Sequence, residues 1–102
     1  MANKWGLIFI QGAGTDPARD RVLVDGNGLT TTIVAVPNPQ TALRVATELV
    51  DDGAEFIELS GGFSPYWTAK VIEAVNGRVP VGAVAYSADA LVGLASIARA
   101  VA

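Results

Sequence analysis

One local pattern occurs three times along the chain, and it limits the possible fold more than any other feature. A short polar residue that can cap a helix is followed directly by proline, at Asp16-Pro17, Asn38-Pro39 and Ser64-Pro65. Such a pair favours a helix start, because the polar side chain accepts a hydrogen bond from a free backbone N–H and proline lacks the N–H that would have no partner. Each pair follows an apolar run, so the sequence predicts strands that alternate with helices.

The apolar runs have the length and composition of buried strands. We predict strands over Trp5–Ile10, Leu29–Val36, Phe56–Leu59 and Val79–Tyr86. Runs that are apolar at consecutive positions are typical of parallel strands covered on both faces. Alternation with helices also favours parallel strands, because each helix returns the chain across the sheet.

A helix is expected after each of these strands. The first is predicted to begin at Pro17, to be short, and to end at Gly26-Asn27-Gly28. The second is amphipathic and ends at Gly53, since glycine readily adopts the conformation that terminates a helix. The third follows Ser64-Pro65, and Ser87 is expected to cap a last helix that reaches the C-terminus.

These elements predict a single α/β domain over residues 1–102, with four βα units and a four-stranded, mainly parallel sheet. Two arrangements fit. Helices on both faces would form an open, flavodoxin-like sandwich, whereas helices on one face would form half of a (βα)8 barrel. The half-barrel leaves the other sheet face apolar and in need of a partner. The sandwich is slightly favoured because it needs none.

Composition excludes several function classes. The net charge is −3 and no basic run is present, so neither nucleic acid nor an anionic membrane is an expected partner. Cysteine and histidine are absent, which excludes disulfides and thiol catalysis, removes the commonest transition-metal ligand and predicts no metal site. No segment approaches the ~20 apolar residues that span a bilayer, and we expect a cytoplasmic protein.

The last predicted helix indicates self-association. Its apolar stripe contains Leu91, Leu94, Ile97, Ala98 and Val101. The opposite face is smooth, and only 17% of the whole chain is charged although 51% is hydrophobic. Because exposed apolar patches usually mark association, we expect a homo-oligomer interface at this helix.

The predicted binding site lies beyond the carboxyl ends of the strands, where parallel α/β sheets bind ligands. Polar, aromatic and glycine residues gather there. The candidate ligand-binding residues are Gln11, Gly12, Ser60, Gly61, Gly62, Phe63 and Tyr86. Glycines allow close approach to a ligand, and free N–H groups at a helix start favour an anion, so a small anionic or polar ligand is expected.

Glu58 is the candidate catalytic residue. It lies between Ile57 and Leu59 near a strand end, so we expect partial burial, which would raise the pKa of its carboxyl and suit it to acid or base chemistry. The reaction would be a lyase or isomerase step in which Gly61 and Gly62 N–H groups hold an oxyanion. The alternative is a structural glutamate paired with backbone N–H groups or with an arginine.

One segment resembles a family of small bacterial α/β proteins of unknown function. The residues that carry the resemblance are Ile57-Glu58-Leu59-Ser60-Gly61-Gly62-Phe63, supported by Val71–Val75 and Val79–Gly82 downstream. The family motif often has cysteine where this chain has Ser60, so no thiol role transfers. The resemblance implies no activity and no cofactor.

These features support two functional hypotheses. The first is an oligomeric α/β protein that binds a small molecule at the strand ends, with or without catalysis by Glu58. The second is a non-catalytic scaffold or interaction subunit that assembles through its C-terminal helix. A pocket containing Glu58 favours the first, and a filled strand end beside a large helix interface favours the second.

Overall fold

Five strands form one sheet in the computed structural model, which describes residues 3–101 and the side chains of residues 3–100. In chain order they are β1 (Asn3–Ile10), β2 (Arg21–Gly26), β3 (Leu29–Val36), β4 (Ile57–Leu59) and β5 (Val81–Ala83). Their order in the sheet is β2-β3-β1-β4-β5. All neighbouring pairs are parallel except β2 with β3. The predicted α/β class and mainly parallel sheet are confirmed, with five strands instead of four.

Three α-helices accompany the sheet: α1 (Pro39–Asp51), α2 (Pro65–Ala74) and α3 (Leu91–Val101). The predicted starts of α1 and α2 are confirmed. Asn38 accepts a hydrogen bond from the Thr41 N–H at 2.8 Å, and Ser64 accepts one from the Trp67 N–H at 3.4 Å. These bonds are made within three residues, which is why the local sequence was sufficient to predict them.

The prediction of a helix after Asp16-Pro17 is wrong. Asp16 does accept a hydrogen bond from the Ala18 N–H at 2.9 Å, but the chain completes only one turn and then enters β2. Asn27 and Gly28 have φ angles of 52° and 71° and connect β2 to β3 in a two-residue hairpin. Asn-Gly is the preferred sequence for such a turn, and apolar β-branched residues precede it.

The last helix also begins differently from the prediction. A short 3-10 helix (Ala88–Ala90) follows Ser87, and α3 starts at Leu91. The Ser87 hydroxyl donates to the Asp89 carboxylate and makes no capping bond to the backbone. The competing carboxylate two residues away explains why Ser87 does not cap the helix.

Helices α1 and α2 lie on the same face of the sheet. Helix α1 connects β3 to β4 and passes over β1, which lies between these two strands. Helix α2 connects β4 to β5 in the same direction along the sheet. Because such crossovers are right-handed, both helices lie on one side of the sheet. One core forms between them and the sheet, from Ile8, Val34, Val36, Ala42, Val45, Ala46, Leu49, Ala54, Ile57, Leu59, Phe63, Val71 and Val75. Four βα units and a flavodoxin-like sandwich are therefore not found: β2 replaces the first helix, and α1 and α2 share one face.

The opposite side of the sheet, which we call the open face, is mostly apolar. Along each strand, the residues of the open face alternate with those that face the helices. The pairing of neighbouring strands places open-face residues beside one another across the sheet. They are Trp5, Leu7, Phe9, Val22, Val24, Thr31, Ile33, Ala35, Phe56, Glu58 and Gly82. The Trp5 and Phe56 rings stack with their centroids 5.1 Å apart. An uncovered face is expected of a half-barrel, but β1 lies between β3 and β4, whereas a half-barrel has its strands in chain order, so that arrangement is not found either.

Helix α3 packs mainly against the 3-10 helix that precedes it. Its side chains Leu91, Val92 and Ile97 are 58%, 79% and 63% exposed. Within residues 3–101, no helix is long and apolar enough to cross a membrane.

Candidate functional site

An open groove of about 750 Å³ lies at the carboxyl ends of β1 and β3, on the open face. We call it the hairpin groove, because Val22, Ile33 and Ala35 of the β2–β3 hairpin line it. Its lining residues are Phe9, Gln11, Ala13, Gly14, Thr15, Arg19, Asp20, Arg21, Val22, Ile33 and Ala35.

The floor of the hairpin groove is apolar. Phe9 of β1 lies opposite Ala35 of β3, and Ile33 lies opposite Val22 of β2. Side chains alternate along a strand, so these four residues share the open face while Ile8 and Val34 enter the core. A hydrocarbon or aromatic group placed on this floor would be removed from water, at about 25 cal/mol per Å² of apolar surface.

The polar wall of the groove is the loop of residues 11–20. The Gln11 N–H donates to the Val36 carbonyl at 2.8 Å, which holds the loop start against β3. The Ala35 N–H donates to the Asp20 carbonyl at 2.9 Å and holds its end. Gly12 and Gly14 have φ angles of 115° and 88°, which L side chains rarely adopt, so these positions let the loop turn over the floor.

An ion pair closes the end of this wall. The Arg19 Nη2 lies 2.8 Å from Asp20 Oδ2, and the same nitrogen donates to the Gly14 carbonyl at 3.1 Å. The Asp16 N–H also donates to Asp20 Oδ2, at 2.8 Å. The hydrogen bonds from Arg19 and then from the Asp16 backbone hold the pKa of the Asp20 carboxyl below its usual range, and Asp20 raises the pKa of Arg19.

The pairing determines what the polar wall offers to a ligand. Asp20 and Arg19 neutralise each other, and Arg21 uses its Nε to donate to the Pro17 carbonyl at 2.7 Å. Gln11 is exposed and carries both a donor and an acceptor on its amide. The groove therefore combines an apolar floor with hydrogen-bonding groups and the positive charge of Arg21 at one end.

The structure separates the residues that the sequence predicted to form one site. Gln11 lines the hairpin groove, and Gly12 shapes its loop. Glu58 instead lines a smaller depression of about 200 Å³ together with Gly82, Ala83 and Val84. The expected partial burial of Glu58 is wrong: Ile57 and Leu59 face the core, so the side chain between them lies exposed on the open face.

The loop of residues 60–63, which follows β4 and contains Gly61 and Gly62, makes mainly contacts within the fold. The Ser60 N–H donates to the Ile8 carbonyl at 3.0 Å, and the Ser60 carbonyl accepts from the Phe63 N–H at 3.1 Å. Phe63 is only 5% exposed and belongs to the core. Tyr86 is exposed and packs on Gly61, while Gly62 contacts Ile10. Burial of the Phe63 ring and packing of the Tyr86 ring on Gly61 account for the residue types at positions 63 and 61 without a bound ligand.

Sequence reasoning missed most of the hairpin groove. The residues not singled out as a site were Phe9, Ala13, Gly14, Thr15, Arg19, Asp20, Arg21, Val22, Ile33 and Ala35. Asn27-Gly28 between two apolar β-branched segments predicts the hairpin that contributes Val22 and Ile33 to the floor. No such signal predicts that the floor is open, because that depends on which sheet face the helices leave uncovered.

A metal centre is not indicated in the part of the chain that the structure describes. No three His, Cys, Asp or Glu side chains are grouped there closely enough to hold an ion.

The fold and the groove define a small α/β protein with two helices packed on one side of a five-stranded sheet and an apolar groove on the other side. A family model described as a family of unknown function, DUF6506, matches residues 3–99, and the chain belongs to this family. The predicted membership of a family of unknown function is thereby confirmed. The comparisons found no similar curated protein and no similar solved structure.

Proposed function

We propose that the protein binds a small, largely apolar molecule with a hydrogen-bonding group at one end, in the hairpin groove. The observation that carries this proposal is the apolar floor of Phe9, Val22, Ile33 and Ala35 beneath a polar loop. A volume of about 750 Å³ lies within the range of small-molecule sites, which are mostly apolar with a few placed polar groups. The pairing of Arg19 with Asp20 leaves the charge of Arg21 in the lining, so a neutral polar or singly anionic ligand end fits better than a multiply charged one.

Gln11 supplies the polar contact in this proposal. Its amide donates and accepts at the mouth of the groove, so it matches a carbonyl, amide or hydroxyl group. This refines the small anionic or polar ligand expected from the sequence, because the apolar floor favours a hydrocarbon or aromatic body.

Adjacent residues of β2 provide a matched test. Val22 and Leu23 are each 58% exposed, but Val22 lines the groove and Leu23 lies on the opposite face of the sheet. The neutral fluorescent dye Nile red serves as the probe. We expect Val22→Asp to weaken dye binding about tenfold, since a charge on the floor makes burial of the apolar dye unfavourable. Leu23→Asp should leave the affinity unchanged.

Thermal unfolding of both variants controls for folding. Equal loss of dye affinity in the two variants, with both folded, would contradict the proposal, because the dye would then not distinguish the groove from the rest of the sheet. A second measurement, native mass spectrometry of the protein purified from its expression host, is expected to show a retained small molecule that Val22→Asp loses.

Catalysis by Glu58 has weaker support. The carboxylate is exposed and lies in a depression separate from the hairpin groove, so it is not positioned to act on a ligand bound there. We therefore propose binding and assign no reaction. The Gln substitution, Glu58→Gln, should accordingly leave Nile red affinity unchanged.

Self-association through α3 is a second candidate function, on a separate observation. The exposed side chains Leu91, Val92 and Ile97 lie on one short helix that has little contact with the rest of the chain. Apolar exposure of this kind is costly in a monomer and usually marks an interface. Sedimentation analysis at micromolar concentration tests it, and a species of twice the 10.5 kDa chain mass is expected. A single 10.5 kDa species would contradict it.

A further inference from the structure

A second groove lies beside helix α2, on the side of the sheet that carries the helices. It has a volume of about 490 Å³, and we call it the α2 groove. Its lining residues are Phe63, Pro65, Thr68, Ala69, Ile72, Ala83, Val84 and Ala85. None of these residues is ionisable, and Ile72 and Val84 are exposed.

The α2 groove has the position and shape of an unfilled helix site. Helix α2 forms one wall, and the chain that leaves β5 forms the other. Its small side chains Thr68, Ala69 and Ala83 allow another backbone to approach closely. A third helix at this position would extend the layer that α1 and α2 begin.

Helix α3 has the complementary pattern. Leu91, Leu94 and Ala98 occupy positions i, i+3 and i+7, the spacing by which an amphipathic helix enters an apolar groove. Arg99 is the one charged residue in the sequence of α3 and lies off this stripe. Because neither surface carries a charge into the contact, docking removes no ionised group from water.

We propose that α3 of one copy docks in the α2 groove of a second copy, while the second copy's α3 docks in the first. This deepens the self-association proposed above and rests on it. Each chain carries both halves of the contact, the projecting helix and the unfilled groove. Exchange of an identical element between two copies makes a closed two-fold dimer.

The area of the contact supports an exchange in both directions. Helix α3 has 11 residues and is about 16 Å long, so one docked face removes on the order of 400 Å² from the helix and as much from the groove. A single such contact, about 800 Å², is no larger than a typical crystal contact. Two symmetric contacts total about 1,600 Å², which is the size of a standard stable interface.

The absence of cysteine from the sequence allows a direct test by disulfide trapping. Single variants Ala69→Cys in the groove and Ala98→Cys on α3 are prepared with tags of different size, mixed and mildly oxidised. We expect a mixed disulfide dimer in high yield. The control pair is Ala13→Cys with Ala98→Cys, since Ala13 is equally an exposed alanine but lies in the loop between β1 and β2. It should cross-link at least tenfold less.

Other outcomes separate this inference from the self-association on which it rests. If the double variant A69C/A98C forms only an intramolecular disulfide, α3 docks on its own chain and the exchange is overturned. Equal cross-linking by the two pairs also overturns it. If a wild-type dimer is lost in Leu91→Asp but kept in Ile72→Asp, self-association through α3 stands and the α2 groove is the wrong receptor. A wild-type monomer that forms no mixed disulfide overturns both proposals.

Discussion

The Arg19 guanidinium holds the Asp20 carboxylate with two hydrogen bonds, from Nε to Oδ1 at 3.1 Å and from Nη2 to Oδ2 at 2.8 Å. The same carboxylate accepts the Asp16 N–H, and Arg19 also reaches the Gly14 carbonyl. Two adjacent residues therefore connect three parts of the loop that walls the hairpin groove. Backbone hydrogen bonds from the Thr15 N–H to the Gly12 carbonyl and from the Asp20 N–H to the Asp16 carbonyl also stabilise this loop, so the pair adds to a bonded turn.

The first prediction concerns the pH dependence of this pair. The pKa of Asp20 is lowered in the folded protein, mainly by Arg19, so ionised Asp20 favours folding. Its contribution is fully present above the ordinary aspartate pKa of about 3.9 and is lost as the pH falls through the lowered value. We expect Asp20→Asn to destabilise the protein at about pH 6 and the difference from wild type to shrink below about pH 4.

Urea unfolding of both proteins across this pH range measures the difference. The pair is partly exposed, so the effect is expected to be small. Asp52→Asn is the control, because the Asp52 carboxylate lies 3.8 Å from Lys4 and should contribute less. A constant difference between wild type and Asp20→Asn down to about pH 2 would contradict the assignment.

The second prediction concerns the contact of Tyr86 with Gly61. A Cβ at Gly61 would lie 2.7 Å from Cε2 of Tyr86, which is too close for the ring to stay in place. Because Tyr86 is exposed, the ring can turn into solvent. We expect Gly61→Ala to cost less than about 1 kcal/mol while it moves the Tyr86 ring. The NMR chemical shifts of the ring report the movement, and unchanged shifts would show that the contact is not formed in solution.

The third prediction compares two strand glycines. Gly6 faces α1, where a Cβ would lie 2.7 Å from Cδ1 of Leu49 and 3.2 Å from Cδ1 of Ile57. Both of these side chains are buried, so Gly6→Ala overpacks the core and should cost about 1 to 3 kcal/mol. Gly82 is the matched control, since nothing lies within 4 Å of a Cβ there. Gly82→Ala should be neutral in the same chemical unfolding measurement. Equal stabilities for the two variants would refute the close packing of α1 on β1.

The fourth prediction tests the hairpin turn. Gly28 has a φ of 71°, a conformation that costs an L residue about 1 to 2 kcal/mol. Gly28→Ala should therefore lower the free energy of unfolding by about that amount, as measured by urea unfolding. Gly26 lies two residues earlier in the strand with an ordinary φ and open space around a Cβ, so Gly26→Ala should be neutral or slightly stabilising. If Gly26→Ala proves the more damaging change, the hairpin register is different.

The predictions that succeeded depend on neighbours in sequence. The Asn38 and Ser64 caps bond to N–H groups three residues away, and the apolar runs of β1 and β3 form strands largely as predicted. At Asp16 the same cap-and-proline pair gave one turn only. The difference arises further along the chain, where β2 pairs with β3 through the Asn27-Gly28 turn, and that ladder outweighs a weak helical tendency.

The candidate site was predictable only in part for the same reason. Gln11 lies just after a strand that the sequence predicts, and it does line a groove. Glu58 was expected to be partly buried because its two neighbours are apolar, yet alternation along β4 turns those neighbours to the core and Glu58 away from it. Whether the open face is exposed to water or covered by a second layer of helices depends on which side of the sheet α1 and α2 pack.

The sequence by itself determined the α/β class, the positions of two helix starts and most of the strands, because capping bonds and apolar runs act over a few residues. Only the tertiary structure decided that α1 and α2 share one face and that an apolar groove remains on the other. Those outcomes depend on contacts between segments far apart in the chain, whose free energies no local pattern records. The direction of each crossover then decides which side chains are buried and which stay exposed.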